Sequence, residues 1–80
     1  MIHTAGIDIG STYTKAIVLR EDGKIVGRSV EPTGFRLAEI AERALSQATA
    51  AAGVAGEELR YTIATGFGRH QVMNADVRVT

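Results

Sequence analysis

The sequence predicts a mixed α/β domain with the element order β-β-β-α-β. Three observations lead there. Short apolar runs with two-residue alternation fill the N-terminal part, broken by a Ser/Thr turn and by Asp22-Gly23. From Phe35 to about Ala52 the apolar period becomes that of a helix. Arg60 to Thr65 then returns to strand-like alternation.

The first strand spans Thr4 to Ile9. Alternation places Gly6, Asp8 and Gly10 on one face and Ile7 and Ile9 on the other. One face can anchor a core; the other is stripped of bulk and carries a single carboxylate. Ala16-Ile17-Val18-Leu19, bounded by Lys15 and Arg20, is the second strand. Asp22-Gly23 suits a tight hairpin because both positions tolerate positive φ. Lys24 to Val30 follows as the third strand, with Gly27 marking a bulge. These three strands are expected to form an antiparallel meander.

Pro32 biases Glu31 toward an extended backbone, and Thr33 is placed to cap the coming helix. On that helix Leu37, Ile40, Ala41, Ala44, Leu45 and Ala48 form the apolar stripe. Glu39 precedes Arg43 at the spacing and in the orientation of a helical ion pair. Gly53 is the natural C-cap. The fourth strand carries Tyr61, Ile63 and Thr65 on one face and is expected to pair parallel to its predecessor after the crossover. Tyr61 is expected in the core. A short helix near His70 to Asn74 and a strand stub from Val77 to Thr80 close the chain.

Eighty residues make one small domain, which buries about two-thirds of its unfolded surface. Apolar residues are 45% of the chain, with two Phe, two Tyr and no Trp, so the core is mainly aliphatic. Net charge is zero and no basic block occurs, which argues against nucleic acid or an anionic membrane as partner. The absence of cysteine excludes disulfides, thiolate catalysis and Cys-bound clusters within this stretch. No apolar run is long enough to span a bilayer and the first residues show no basic-then-apolar pattern, so a cytoplasmic location is expected. Ala75 to Thr80 reads like the approach to another element; residues 1–80 are therefore expected to be the N-terminal part of a longer chain.

Chemistry concentrates in Asp8-Ile9-Gly10-Ser11-Thr12 and the Lys15 that follows. A nucleoside triphosphate needs N–H groups aimed at its oxygens, a cation, and a carboxylate that positions the cation through water. Gly10 permits close backbone approach, Ser11 and Thr12 add hydroxyls, Asp8 supplies the charge, and Lys15 can reach the β- and γ-phosphates. The Walker pattern is missing, since a hairpin stands where a helix N-terminus would be. On spacing alone the same residues are also those of an ordinary turn. Gly66-Phe67-Gly68-Arg69 is either a strand-ending turn or a segment near the nucleotide or a partner. His3 and His70 lack metal-ligand spacing.

Taken together, Asp8-x-Gly10-Ser11-Thr12-x-x-Lys15 on a first hairpin resembles the first phosphate motif of the actin, heat-shock chaperone and sugar-kinase superfamily. The finer resemblance is to ATPases that activate 2-hydroxyacyl-CoA dehydratases and to the ATPase subunits of benzoyl-CoA reductase. Pro32-Thr33-Gly34, Ala64-Thr65-Gly66-Phe67-Gly68-Arg69 and Ala75-Asp76 match that family in order and spacing. The resemblance implies a ribonuclease H-like β-β-β-α-β portion of an actin-like ATPase domain. It implies that Gly10, Ser11, Thr12, Tyr13, Thr14 and Lys15 bind ATP, and that Asp8 is catalytic and holds magnesium through water. It further implies a homodimer or paired homologous subunit that shares a 4Fe-4S cluster, held by cysteines outside this stretch. Such proteins use ATP to drive a low-potential electron into a CoA-thioester dehydratase or reductase. With the second phosphate motif and adenosine pocket also outside it, residues 1–80 alone are expected to bind ATP poorly. Two other readings stay open: a small-molecule (sugar or carboxylate) kinase of the same superfamily, and a non-catalytic actin-like module.

Overall fold

The computed structural model describes residues 1–80. Its elements are β1 (His3–Ile9), β2 (Tyr13–Arg20), β3 (Ile25–Pro32), α1 (Leu37–Ala52), β4 (Leu59–Thr65) and β5 (Val77–Arg78). Single 3-10 turns stand at Gly56–Glu58 and Arg69–Gln71. The sheet is mixed, in the order β3-β2-β1-β4-β5. The β1–β2 and β2–β3 pairs are antiparallel; β1–β4 and β4–β5 are parallel. The expected meander and element order are present.

One pairing differs from expectation. β4 lies beside β1, not beside β3, its predecessor among the strands. The reason lies in the crossover: α1 packs most heavily on β3, then β2, then β1. A helix laid across all three strands delivers the chain to the free edge of β1.

The core forms between one sheet face and α1. Ile7, Ile9, Ala16, Val18 and Ala64 from the sheet meet Ala41, Ala44 and Ala48 from the helix, with Val72 closing one end. Small residues on the helix let it sit close, and Gly27 marks the closest approach. A Cβ at Gly27 would lie 3.0 Å from the Ala52 Cβ and run into the Ala48 carbonyl oxygen. Gly27 therefore serves helix packing. The irregular residue is its neighbour Val26, because Val18 pairs with Gly27 while Leu19 pairs with Ile25. The Ser29 hydroxyl donates to the Ala44 carbonyl at 2.6 Å, which fastens sheet to helix.

Other local expectations are corrected by tertiary contacts. The helix begins at Leu37, and Phe35 stands fully exposed before it. Thr33 does not cap α1; Arg36 occupies that place with no side-chain cap, and Thr33 is buried elsewhere. Glu39 pairs with Arg36 at 3.5 Å, while Arg43 reaches Glu31 on β3 at 3.6 Å, so the Glu39–Arg43 pair is absent. Gly53 caps the helix as expected, at φ 74. Near the C-terminus the short helix spans Arg69–Gln71 instead of His70 to Asn74, and the stub is Val77–Arg78. Asp76 docks that stub: its Oδ2 accepts the Thr62 N–H at 2.7 Å, and its own N–H donates to the Thr62 carbonyl at 2.8 Å. Tyr61 is not core. It is 40% exposed, because α1 covers one sheet face and Tyr61 sits on the other. No helix is long and apolar enough to cross a membrane.

Candidate functional site

Asp8 and Lys15 are direct partners in the β1–β2 ladder. Directly opposed residues project to the same side of a sheet. Burial agrees: Ile7, Ile9, Thr14 and Ala16 are buried toward α1, whereas Asp8, Tyr13 and Lys15 are exposed on the open face. On its other flank Asp8 pairs with Thr65 of β4. Gly6, Ile7, Asp8, Lys15, Ile17, Ile63 and Thr65 line an open groove of about 270 Å³. Asp8 is the only carboxylate in that lining and Lys15 the only cation. A larger groove of about 570 Å³ runs between α1 and β4 on the opposite side. Its Asp76, from the Ala75-Asp76 match, is already engaged by the Thr62 N–H, and no residue of the first phosphate motif lines it. The groove with Asp8 and Lys15 is the one that residues of the first phosphate motif line.

The turn between β1 and β2 is closed by the Gly10 N–H, which donates to the Tyr13 carbonyl at 3.0 Å. A side chain at Gly10 would place its Cβ 2.9 Å from that same oxygen, so glycine is required for closure. Ser11 and Thr12 are exposed, and their N–H groups donate to no backbone carbonyl. N–H groups left without a carbonyl partner in a turn are available to an anion. Tyr13 shares the face of Lys15 and is 53% exposed. Thr14 is the exception among the expected residues. It is fully buried on the helix side, with its hydroxyl 2.9 Å from that of Thr33.

The segment after β4 wraps around the end of β1. Gly66 has φ 90, and a Cβ there would sit 2.5 Å from Asp8 Oδ1. Gly68 lies as close to Ile9: its Cβ would be 2.5 Å from Ile9 Cγ2, and its N–H donates to the Ile9 carbonyl at 3.3 Å. Arg69 donates to the Gly66 carbonyl at 2.9 Å and so holds the turn together. Gly66 to Arg69 is thus both a strand-ending turn and the neighbour of Asp8. Sequence reasoning missed Thr33 at this site. Its signal was indirect: Pro32 pairs with Tyr13, so the next residue must land against the turn.

The sequence model of the BadF/BadG/BcrA/BcrD ATPase family matches residues 5–77. The chain belongs to that family. The activator of lactoyl-CoA dehydratase from Anaerotignum propionicum is 35% identical over 79 residues, covering 99% of this chain and 30% of that protein. Among solved structures, (R)-2-hydroxyglutaryl-CoA dehydratase component A from Acidaminococcus fermentans superimposes with a TM-score of 0.87. Its identity is 35%, over 99% of this chain and 30% of that one. The activator of 2-hydroxyisocaproyl-CoA dehydratase from Clostridium difficile, with bound ADPNP, gives a TM-score of 0.83 at 30% identity, covering 98% and 29%. The fold is accordingly that of a portion of an actin-like ATPase domain, and the chain spans about 30% of the length of such relatives. In this BadF/BadG/BcrA/BcrD chain the first hairpin turn, Thr33 and the Gly66-Phe67-Gly68-Arg69 segment gather at one end of β1, near Asp8, while Asp76 is bonded to Thr62 farther along β4.

Proposed function

We propose that these residues form the first phosphate grip of an ATPase that activates a 2-hydroxyacyl-CoA dehydratase or benzoyl-CoA reductase. One observation carries the reading: Asp8 and Lys15 face a common opening from adjacent strands, and in the turn that joins those strands the N–H groups of Ser11 and Thr12 bond to no backbone carbonyl. In this reading Ser11, Thr12 and the Tyr13 backbone cradle the phosphate chain and Lys15 neutralises its β- and γ-oxygens. Thr14 contributes through the shape of the hairpin, because its side chain points away from the groove.

A magnesium ion fits this donor set. It commonly takes one or two carboxylates, with water and phosphate oxygens completing its shell. Asp8 supplies one exposed carboxylate, and no group of three or more His, Cys, Asp or Glu side chains is assembled in the chain. When bound, the ion would draw charge from the phosphate oxygens. Asp8 would orient its water shell and the attacking water. An iron–sulfur cluster does not fit these residues, which include no cysteine. Electron transfer to the partner enzyme, and a homodimer or paired subunit built around a shared cluster, belong to the proposal for the complete protein, as does a cytoplasmic location.

The test is ATP hydrolysis by the full-length protein and by its Asp8→Ala variant, each with and without the partner dehydratase. The variant is expected to lose activity by about a hundredfold or more, the usual effect of mispositioned metal and water. Equal rates would remove Asp8 from the mechanism. Hydrolysis that required an added sugar or carboxylate would replace the activator reading with the kinase one.

A further inference from the structure

A turn that binds phosphate well must hold its shape before the nucleotide arrives. Thr33 touches that turn at each end. Its N–H donates to the Thr12 carbonyl at 2.9 Å, and its hydroxyl donates to the Gly10 carbonyl at 2.8 Å. The same hydroxyl lies 2.9 Å from that of Thr14. A hydroxyl has a single proton to give. With the Thr33 proton directed at Gly10, Thr14 must be the donor to Thr33, and it has nothing left for a phosphate. The result is a directed relay from Thr14 through Thr33 to Gly10. It lies in a dry place: Thr14 is 0% and Thr33 3% exposed. Hydrogen bonds in series reinforce one another there. Immediately beyond, Gly34 at φ 67 turns the chain toward α1.

We propose that Thr33 is a positioning residue for the nucleotide. Its hydroxyl holds Gly10 to Thr12 in the phosphate-binding shape and ties that shape to the β3–α1 connection. This rests on reading Gly10 to Lys15 as the phosphate grip. Without the relay the turn occupies its competent shape only part of the time, and apparent affinity falls by that fraction.

The experiment uses the full-length protein: ADPNP affinity by calorimetry, KM and kcat for ATP hydrolysis, and the nucleotide-free melting temperature. Thr33→Val is expected to raise the Kd for ADPNP and the KM for ATP about tenfold, with kcat changed by about twofold or less. Thr33→Ser, which keeps the hydroxyl, should stay within about twofold of the parent. If Thr33→Val melts lower but binds ADPNP as the parent does, Thr33 is merely structural and the proposal is overturned. Should that variant fail to fold, Thr14→Val decides. ADPNP binding weakened by about threefold or more supports the relay, and parental affinity overturns it. The underlying reading fails separately. Parental hydrolysis by Asp8→Ala sinks the catalytic role of Asp8 while ADPNP affinity still reports on Thr33; a parent that binds no ADPNP overturns both.

Discussion

Asp8 owes its position to residues with almost no side chain. Gly66 leaves room beside Oδ1 and takes φ 90, a backbone region that L side chains rarely enter. Gly66→Ala is therefore expected to cost about 1–3 kcal/mol of stability and to displace the Asp8 carboxylate from its place beside β4. Chemical denaturation and ATP hydrolysis of the full-length variant would check the two effects separately. A second titratable group is set by geometry alone. Asp22 accepts the Arg20 guanidinium at 2.7 and 3.0 Å and the Lys24 N–H at 3.1 Å, which holds its carboxyl down at about 2. The folded value lies below the ordinary 3.8, so the ionised form stabilises the fold. That contribution is complete above about pH 4 and is lost as the pH falls through about 2. Arg20→Ala should return the Asp22 carboxyl titration toward its ordinary range, as read by NMR. Because the pair is exposed, the melting temperature should barely move.

At the scale of elements, the helix–sheet seam is the tightest joint. Gly27 meets the backbone of α1 at Ala48 and Ala52, and backbone cannot swing aside as a side chain can. Gly27→Val should destabilise by about 1–3 kcal/mol, the usual range for overpacking, and thermal melting would read it. A variant as stable as the parent would mean that the seam is looser than its geometry. The same element shows how far periodicity carries. The stripe of Ile40, Ala41, Ala44 and Ala48 was legible because helical spacing and burial obey one period. The start of α1 was not. Phe35 continues the apolar pattern, yet the fold draws Thr33 into the turn and leaves Phe35 fully exposed. A threonine ahead of a helix looks like a cap until a buried acceptor competes for it. Surface ion pairs were equally illegible, since Arg43 chooses Glu31 on a neighbouring strand over Glu39 on its own helix.

Across the whole molecule, one helix covers one side of a five-stranded sheet. The other side keeps Tyr13, Val30, Tyr61 and Ile63 between 40% and 58% exposed. A domain of this size rarely leaves so much apolar surface bare without a partner. Residues 1–80 produced alone are expected to bind an apolar dye such as ANS and to self-associate. Fluorescence and sedimentation would show it, and a monomer without dye binding would contradict it. The charged groove sits on this same open side, beside Ile17 and Ile63.

The sequence by itself determined the order of elements, the two faces of β1 and the candidate residues for holding a phosphate. All three follow from local spacing and backbone freedom, which neighbours along the chain dictate. Tertiary structure alone decided that β4 flanks β1, that Gly66 abuts Asp8 and that Thr33 braces the turn. Those contacts join residues far apart in the chain: the helix crossing the sheet brings β4 and Gly66 to β1, and the β2–β3 pairing carries Thr33 to the turn.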